Sequence, residues 1–233
     1  MTFDIIILAY SKTPEQKGIT QDCIDSLIKA KNNVKVNIIV LESYDESVVF
    51  NDATTIFFKE KEFNYNRSMN EGFKRSKNKY VFFCNNDLIF EDGWADACFN
   101  VFNMGYKSLS PYCTVTHPEF VESGAYIMVG YQIRFHIAGW CIGVDREMFK
   151  ELGGFNEAVR FFYSDNIYAE QLKIADVKHA LVCNAYVKHV EKGSSTLKSL
   201  PKQEELKLTW SQKGFYDKEV GRLWNAKKKE VLR

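Results

Sequence analysis

Lys79-Tyr80-Val81-Phe82-Phe83-Cys84-Asn85-Asn86-Asp87-Leu88-Ile89-Phe90 is the stretch on which the reading of this chain turns. An apolar run long enough to cross a buried sheet stops at two amides and a carboxylate. It takes one more short apolar step and then reaches the turn-like Glu91-Asp92-Gly93-Trp94. In an open α/β sheet, ligands collect outside the carboxyl ends of the strands, where loops and free backbone groups meet. A carboxylate there can hold a hard cation, and a cation is what a diphosphate leaving group needs. Asp87 is therefore read as a metal ligand. The competing reading makes Asn85-Asn86-Asp87 a cap on the following turn, because short amide and carboxylate side chains bond their own backbone there.

Outward from that stretch, the chain is bounded by its size and charge. Its 233 residues suit one generous domain, or a domain with a C-terminal appendage, and 18 Phe with 12 Tyr can fill a large core. A formal net charge of +1 announces no basic field for nucleic acid. No apolar run approaches the length that crosses a bilayer, and the N-terminus has no signal-peptide pattern. The six Cys (23, 84, 98, 113, 141 and 183) are scattered without a C-x-x-C pair, several inside apolar runs, as expected of reduced thiols in a cytoplasmic protein.

Asp4 to Tyr10 opens the chain as a β-branched strand without alternation, the pattern of a strand covered on both faces. Thr20 reads as the cap of a helix carrying Ile24, Leu27 and Ile28, and Val36–Leu41 and Thr54–Phe58 as further strands. Asn66–Lys77 is a short helix ahead of the central strand, so the order is β-α-β-β-α-β with right-handed crossovers. Residues 105–140 are irregular, with strand-like Ala125–Val129 and a loop on the acceptor side. Gly139–Val144, a helix over Asp145–Leu152 stopped at Gly153-Gly154, a helix after Tyr163-Ser164-Asp165 and a strand over Ala180–Val187 follow. Beyond a Gly193-Ser194-Ser195 loop and Pro201, two amphipathic segments (Leu206 and Trp210; Val220, Leu223 and Trp224) predict terminal helices. The expected organisation is a domain over 1–200 and a helical extension over 201–233.

Four features in this order resemble the GT-A glycosyltransferases of the family 2 type, across roughly residues 3 to 196. Ala9-Tyr10-Ser11 is similar to the family's "P-x-Y-N" strand end. Phe63 to Gly72 is similar to its "N-x-x-x-x-x-N-x-G" segment. Asn85-Asn86-Asp87 stands in the place of its D-x-D-type metal motif. Gly153-Gly154-Phe155-Asn156-Glu157, then Ser164-Asp165, then His189 follow its "G-G-F-D-E … E-D … H" tail. The resemblance implies a mixed, mostly parallel, Rossmann-like α/β sheet flanked by helices, in a single domain with C-terminal helices. It implies an inverting transferase that takes one sugar from a nucleoside diphosphate sugar, with UDP-sugar favoured, and uses Mn²⁺ or Mg²⁺.

The resemblance also distributes roles. Asp87 and His189 would hold the metal, a neutral imidazole suiting Mn²⁺ better than Mg²⁺. Asp165 would be the general base, although an Asp at a helix start also serves as an N-cap. Ala9, Tyr10, Glu42, Arg67, Asn70 and Asn86 would line the donor, Arg67 because a guanidinium matches phosphate geometry. Trp140 and Ser164 would face the acceptor, Trp140 by stacking on a sugar or else as ordinary core. Departures accompany the match: Asn replaces the first Asp of the metal motif, Ser164 replaces a Glu beside the base, and Gln171 stands where relatives have Arg. The absence of a Q-x-x-R-W segment argues for single-sugar transfer rather than a processive synthase.

Two other classes stay open. A silent GT-A domain that only binds nucleotide-sugar is prompted by Asn85, Asn86 and Ser164. A nucleotidyltransferase or P-loop enzyme lacks its G-x-x-x-x-G-K-[ST] or G-x-G-x-x-G loop here. The acceptor is not legible: a glycan or small molecule is expected, with a hydroxymethylated base in DNA supported only by Lys227-Lys228-Lys229 and scattered basic residues from 198 to 213.

Overall fold

The computed structural model describes residues 1–113, 115, 117, 125–190 and 202–231, and for 202–210 and 231 the backbone alone. Its first half is a parallel block: β1 (Thr2–Ala9), α1 (Pro14–Ala30), β2 (Lys35–Glu42), β3 (Thr54–Phe57), α2 (Tyr65–Arg75) and β4 (Tyr80–Cys84). These strands lie in the order β3-β2-β1-β4, with Ile5 beside both Ile38 and Phe82. The unbroken apolar runs follow from cover on both faces. Phe3, Ile5 and Ile7 join one core with Ile24 and Leu27 of α1, while Ile6 joins a second with Met69 of α2.

The chain continues through β5 (Leu88–Phe90), α3 (Trp94–Asn103), β6 (Ser108–Tyr112), β7 (Ile127–Val129), β8 (Cys141–Asp145), α4 (Arg146–Glu151), α5 (Ser164–Ile174), β9 (His179–His189) and α6 (Lys202–Val231). The sheet extends from β4 as β8-β6-β9-β5, with β7 also on β9. Pairing becomes mixed here: β8 is antiparallel to both β4 and β6, and β9 to both β5 and β7, while β6 and β9 run parallel. A buried polar chain crosses this half. Ser108 Oγ meets the Tyr168 hydroxyl at 2.7 Å and His179 Nδ1 at 2.8 Å, while His179 Nε2 meets the His136 carbonyl at 3.1 Å. Burial lowers the His179 pKa to about 3, so the ring is neutral at pH 7.

Two sequence expectations are corrected. Helix α1 begins not after Thr20 but at Pro14, behind a capping box in which Thr13 accepts from the Gln16 N–H and Gln16 returns a bond to the Thr13 N–H. Thr20 is buried within the helix, its hydroxyl donating to the Gln16 carbonyl. The two terminal amphipathic segments form one helix, α6, rather than two. The Leu206 and Trp210 side chains and the Gly193-Ser194-Ser195 loop lie outside the described residues.

At the foot of the sheet, the buried carboxylate of Asp4 accepts from Asn37, from the Lys77 and Asn78 N–H groups and from Arg146, tying β1 to the turn before β4 and to α4. Above it, α2 presses on β1 through Gly72. A β-carbon there would lie 2.4 Å from Ile6 Cγ2. Gly72→Ala should therefore destabilise by roughly 1–3 kcal/mol, as overpacking does. In urea denaturation, Ile6→Ala combined with it should cost less than the two changes summed, because removing the Ile6 branch relieves the clash.

Candidate functional site

The site is assembled where β5 and β9 pair. Leu88 lies beside His189, and the Val190 N–H donates to the Asp87 carbonyl at 2.8 Å. This register places Asp87 Oδ1 3.1 Å from His189 Nε2, with Asp87 only 6% exposed. The backbone of β9 is fixed from the far side, the His189 N–H reaching Cys113 Sγ at 3.4 Å. Trp140 stacks on the His189 ring at 6.0 Å and 25°. It is buried, and its carbonyl accepts from the Asn85 N–H at 2.8 Å.

Asp165 reaches the same region along the segment before Trp140. A β-carbon on Gly139 would lie 3.3 Å from Asp165 Cβ, so the glycine lets this side chain in. One Asp165 oxygen accepts from the Asn166 N–H at 2.9 Å. The residue before the helix, Tyr163, has φ 66° and supplies no side-chain cap, so Asp165 does the capping from inside. Burial raises the Asp165 carboxyl above the usual range, while nearby backbone N–H groups and the charge of Arg134 pull the other way. A carboxylate so tuned is suited to accept a proton.

Two residues given no role in the sequence reading belong here. The Tyr65 hydroxyl donates to the Gly139 carbonyl at 3.1 Å. Burial raises its pKa, with smaller contributions from the charges at Asp165 and Asp87, so its proton is retained. His117 packs flat on Tyr112 at 5.1 Å and lies 6.0 Å from the Trp140 ring. Its Nδ1 accepts from the Cys113 N–H at 2.7 Å, its buried Nε2 has no partner among the described residues, and burial lowers its pKa to about 4. Tyr65 was visible within the Phe63–Gly72 segment, and His117 in the His117-Pro118 pair. Neither carried a spacing that announced chemistry.

The expected donor residues divide. Tyr10 is exposed at the end of β1 and packs edge-on against Tyr44 at 5.2 Å. The Ala9 carbonyl is held by the Ser43 N–H and hydroxyl. Asn86 donates to Thr20 at 2.9 Å, fastening the strand end to α1. Glu42 is fully buried at the end of β2, and its oxygens accept from the Ser11 N–H and hydroxyl and the Tyr44 N–H. Asn70 is likewise occupied, bonding the Phe155 N–H and carbonyl and Glu157. Arg67 pairs with Glu157 at 3.1 Å and Glu60 at 3.4 Å. Ser164 is engaged with the Phe161 carbonyl at 2.6 Å.

Residues 4–109 match a family model described as glycosyl transferase family 2. A crystal structure of GalNAc-T7 with UDP, GalNAc and Mn²⁺ superposes with a TM-score of 0.65 at 10% identity, over 82% of this chain and 44% of that one. Residues 1–349 of S. aureus TarS superpose with a TM-score of 0.58 at 11% identity, over 90% of this chain and 69% of that one. No curated protein sequence matches the chain. The fold is that of the GT-A glycosyltransferase structures, and the first part of the chain is similar to glycosyl transferase family 2. It spans less than half the length of the GalNAc-T7 chain.

Among the described residues no three potential ligands cluster. One carboxylate and one imidazole do meet, which suits a hard cation that draws the rest of its shell from substrate phosphates and water.

The raised Asp165 pKa has a stability consequence. Between the ordinary carboxylate value (about 3.9) and its raised folded value, the folded state holds more proton than the unfolded one, so stability falls as pH rises through that window. Asp165→Asn removes the penalty while keeping an oxygen for the Asn166 N–H. Thermal denaturation should show the variant melting above wild type at pH 7, with the gap closing as pH is lowered towards about 4.

Proposed function

We propose that this protein moves one sugar from a nucleoside diphosphate sugar, UDP-sugar being the favoured donor, to an acceptor hydroxyl with inversion at the anomeric carbon. The supporting observation is that Asp87 and His189 adjoin while Trp140, stacked on His189, directly follows the glycine against which Asp165 packs. Asp165 takes the acceptor proton as the oxygen forms its bond to the anomeric carbon. The bond to the diphosphate breaks with its electron pair going to the leaving group, so no covalent sugar–enzyme intermediate is needed. Mn²⁺ or Mg²⁺, held between Asp87 and His189, would neutralise the departing diphosphate. Tyr65, protonated on the Gly139 carbonyl, keeps that segment against Asp165.

On this reading residues 1–200 are the transferase domain and 201–233 an extension seated on α5. Six buried, free thiols suit a reducing, cytoplasmic setting. Among the described residues no helix is long and apolar enough to cross a membrane.

Asp165→Asn should retain UDP binding and lose at least about 100-fold in transfer rate, the lower end of what a general base supplies. Wild-type turnover in that variant would remove the assignment. Asp87→Ala should abolish the Mn²⁺-dependent part of the melting-temperature rise caused by UDP. An undiminished rise would show that the ion binds elsewhere. If wild type binds UDP and Mn²⁺ but no donor is turned over or hydrolysed, the chain is a nucleotide-sugar-binding module.

A further inference from the structure

The connection ahead of Trp140 is more tightly restrained than a surface loop requires. The Gln132 carbonyl accepts from the His136 N–H at 2.8 Å and the Ile137 N–H at 3.2 Å, and the Arg134 N–H donates to the Ile137 carbonyl at 2.8 Å. Side chains pin the loop from below: the Tyr131 hydroxyl donates to the Val177 carbonyl at 3.0 Å, and the buried His179 ring holds the His136 carbonyl. Gly130 makes room, since a β-carbon there would lie 2.5 Å from the His136 ring.

At the turn of this loop Arg134 has φ 65°. A left-handed backbone costs a residue with a β-carbon roughly 1–2 kcal/mol and persists only where the surroundings impose it. The residue held in this way is exposed. Among the described residues its guanidinium makes no hydrogen bond or ion pair, although its charge is felt at Asp165. The geometry agrees: Arg134 closes on Ile137, two residues before the glycine on which Asp165 packs.

We infer that Arg134 is a specificity residue on the acceptor side, pairing with an oxyanion, phosphate or carboxylate, carried by the acceptor molecule. The inference rests on Asp165 being the base at that side of the site. A guanidinium presents a planar fork of donors matched to either group. An anionic acceptor approaching Asp165 would otherwise be repelled, and a cation between them offsets the repulsion.

The test is calorimetric titration of glycerol 3-phosphate, glycerate and glycerol into the protein saturated with UDP and Mn²⁺. At least one of the two anions should bind more tightly than glycerol, and the stronger identifies which oxyanion is read. In Arg134→Gly and Arg134→Gln that preference should weaken at least about tenfold, the loss of a charge-assisted bond. Glycine tolerates the positive φ, so Arg134→Gly should melt no lower than wild type, which separates lost binding from lost folding. Asp165→Asn should keep the preference whether or not Asp165 is the base, so its turnover judges the mechanism separately. Equal binding of the three probes to wild type, or anion binding unchanged in both Arg134 variants, overturns the inference.

Discussion

Antiparallel pairing of a three-residue strand with the end of an eleven-residue one decides the whole site. β5 is too short to stand alone, and it is held by β9 and by α1, where Ser26 Oγ accepts from the Phe90 N–H at 3.1 Å. The pairing sets Leu88 opposite His189. A slip of one residue would turn Asp87 and His189 away from each other, because successive side chains point to opposite faces of a strand. Two residues separated by 102 positions are thereby brought within hydrogen-bonding distance with little freedom left to lose. The ion proposed between them would be met by groups already in place.

The second constraint is a seam of amides. Asn64 donates to the Glu157 carbonyl, Asn66 to the carbonyls of Asn156 and Val159, and Asn70 to that of Phe155. These three side chains, spaced along the start of α2, replace the pairing that an irregular Phe155–Val159 segment cannot make for itself. The segment leads into Tyr163 and Asp165, so the amides of one helix place the carboxylate at the head of another. Gly154 approaches Asn70 so closely, with φ 79°, that its lack of a side chain is part of the same fit.

The legible part of the chain was the part governed by burial. Unbroken apolar runs at Asp4–Tyr10 and Tyr80–Cys84 gave away strands covered on both faces, and the polar stop after Cys84 located the end of β4. What escaped was set by partners distant in sequence. Nothing local tells that Glu42 is enclosed by Ser11 and Tyr44, or that Asn70 serves Phe155, since both residue types also suit a ligand contact. Thr13-Pro14-Glu15-Gln16 carried a local signal, a capping box, that Thr20 overshadowed. The positive φ of Arg134 follows from bonds made by Gln132 and Ile137 and has no mark in composition.

Among its described residues, helix α6 meets the body through polar and ring contacts. Gln212 accepts from the Arg160 N–H, Glu219 from Asn156, and the Trp224 ring N–H donates to Glu170, while Tyr216 lies flat on Tyr163 at 5.2 Å. Tyr163 is the left-handed residue immediately ahead of Ser164 and Asp165. The last part of the chain therefore acts as a brace on the turn that aims the carboxylate. Any shift of that brace would move the turn on which the Asp165 carboxylate sits.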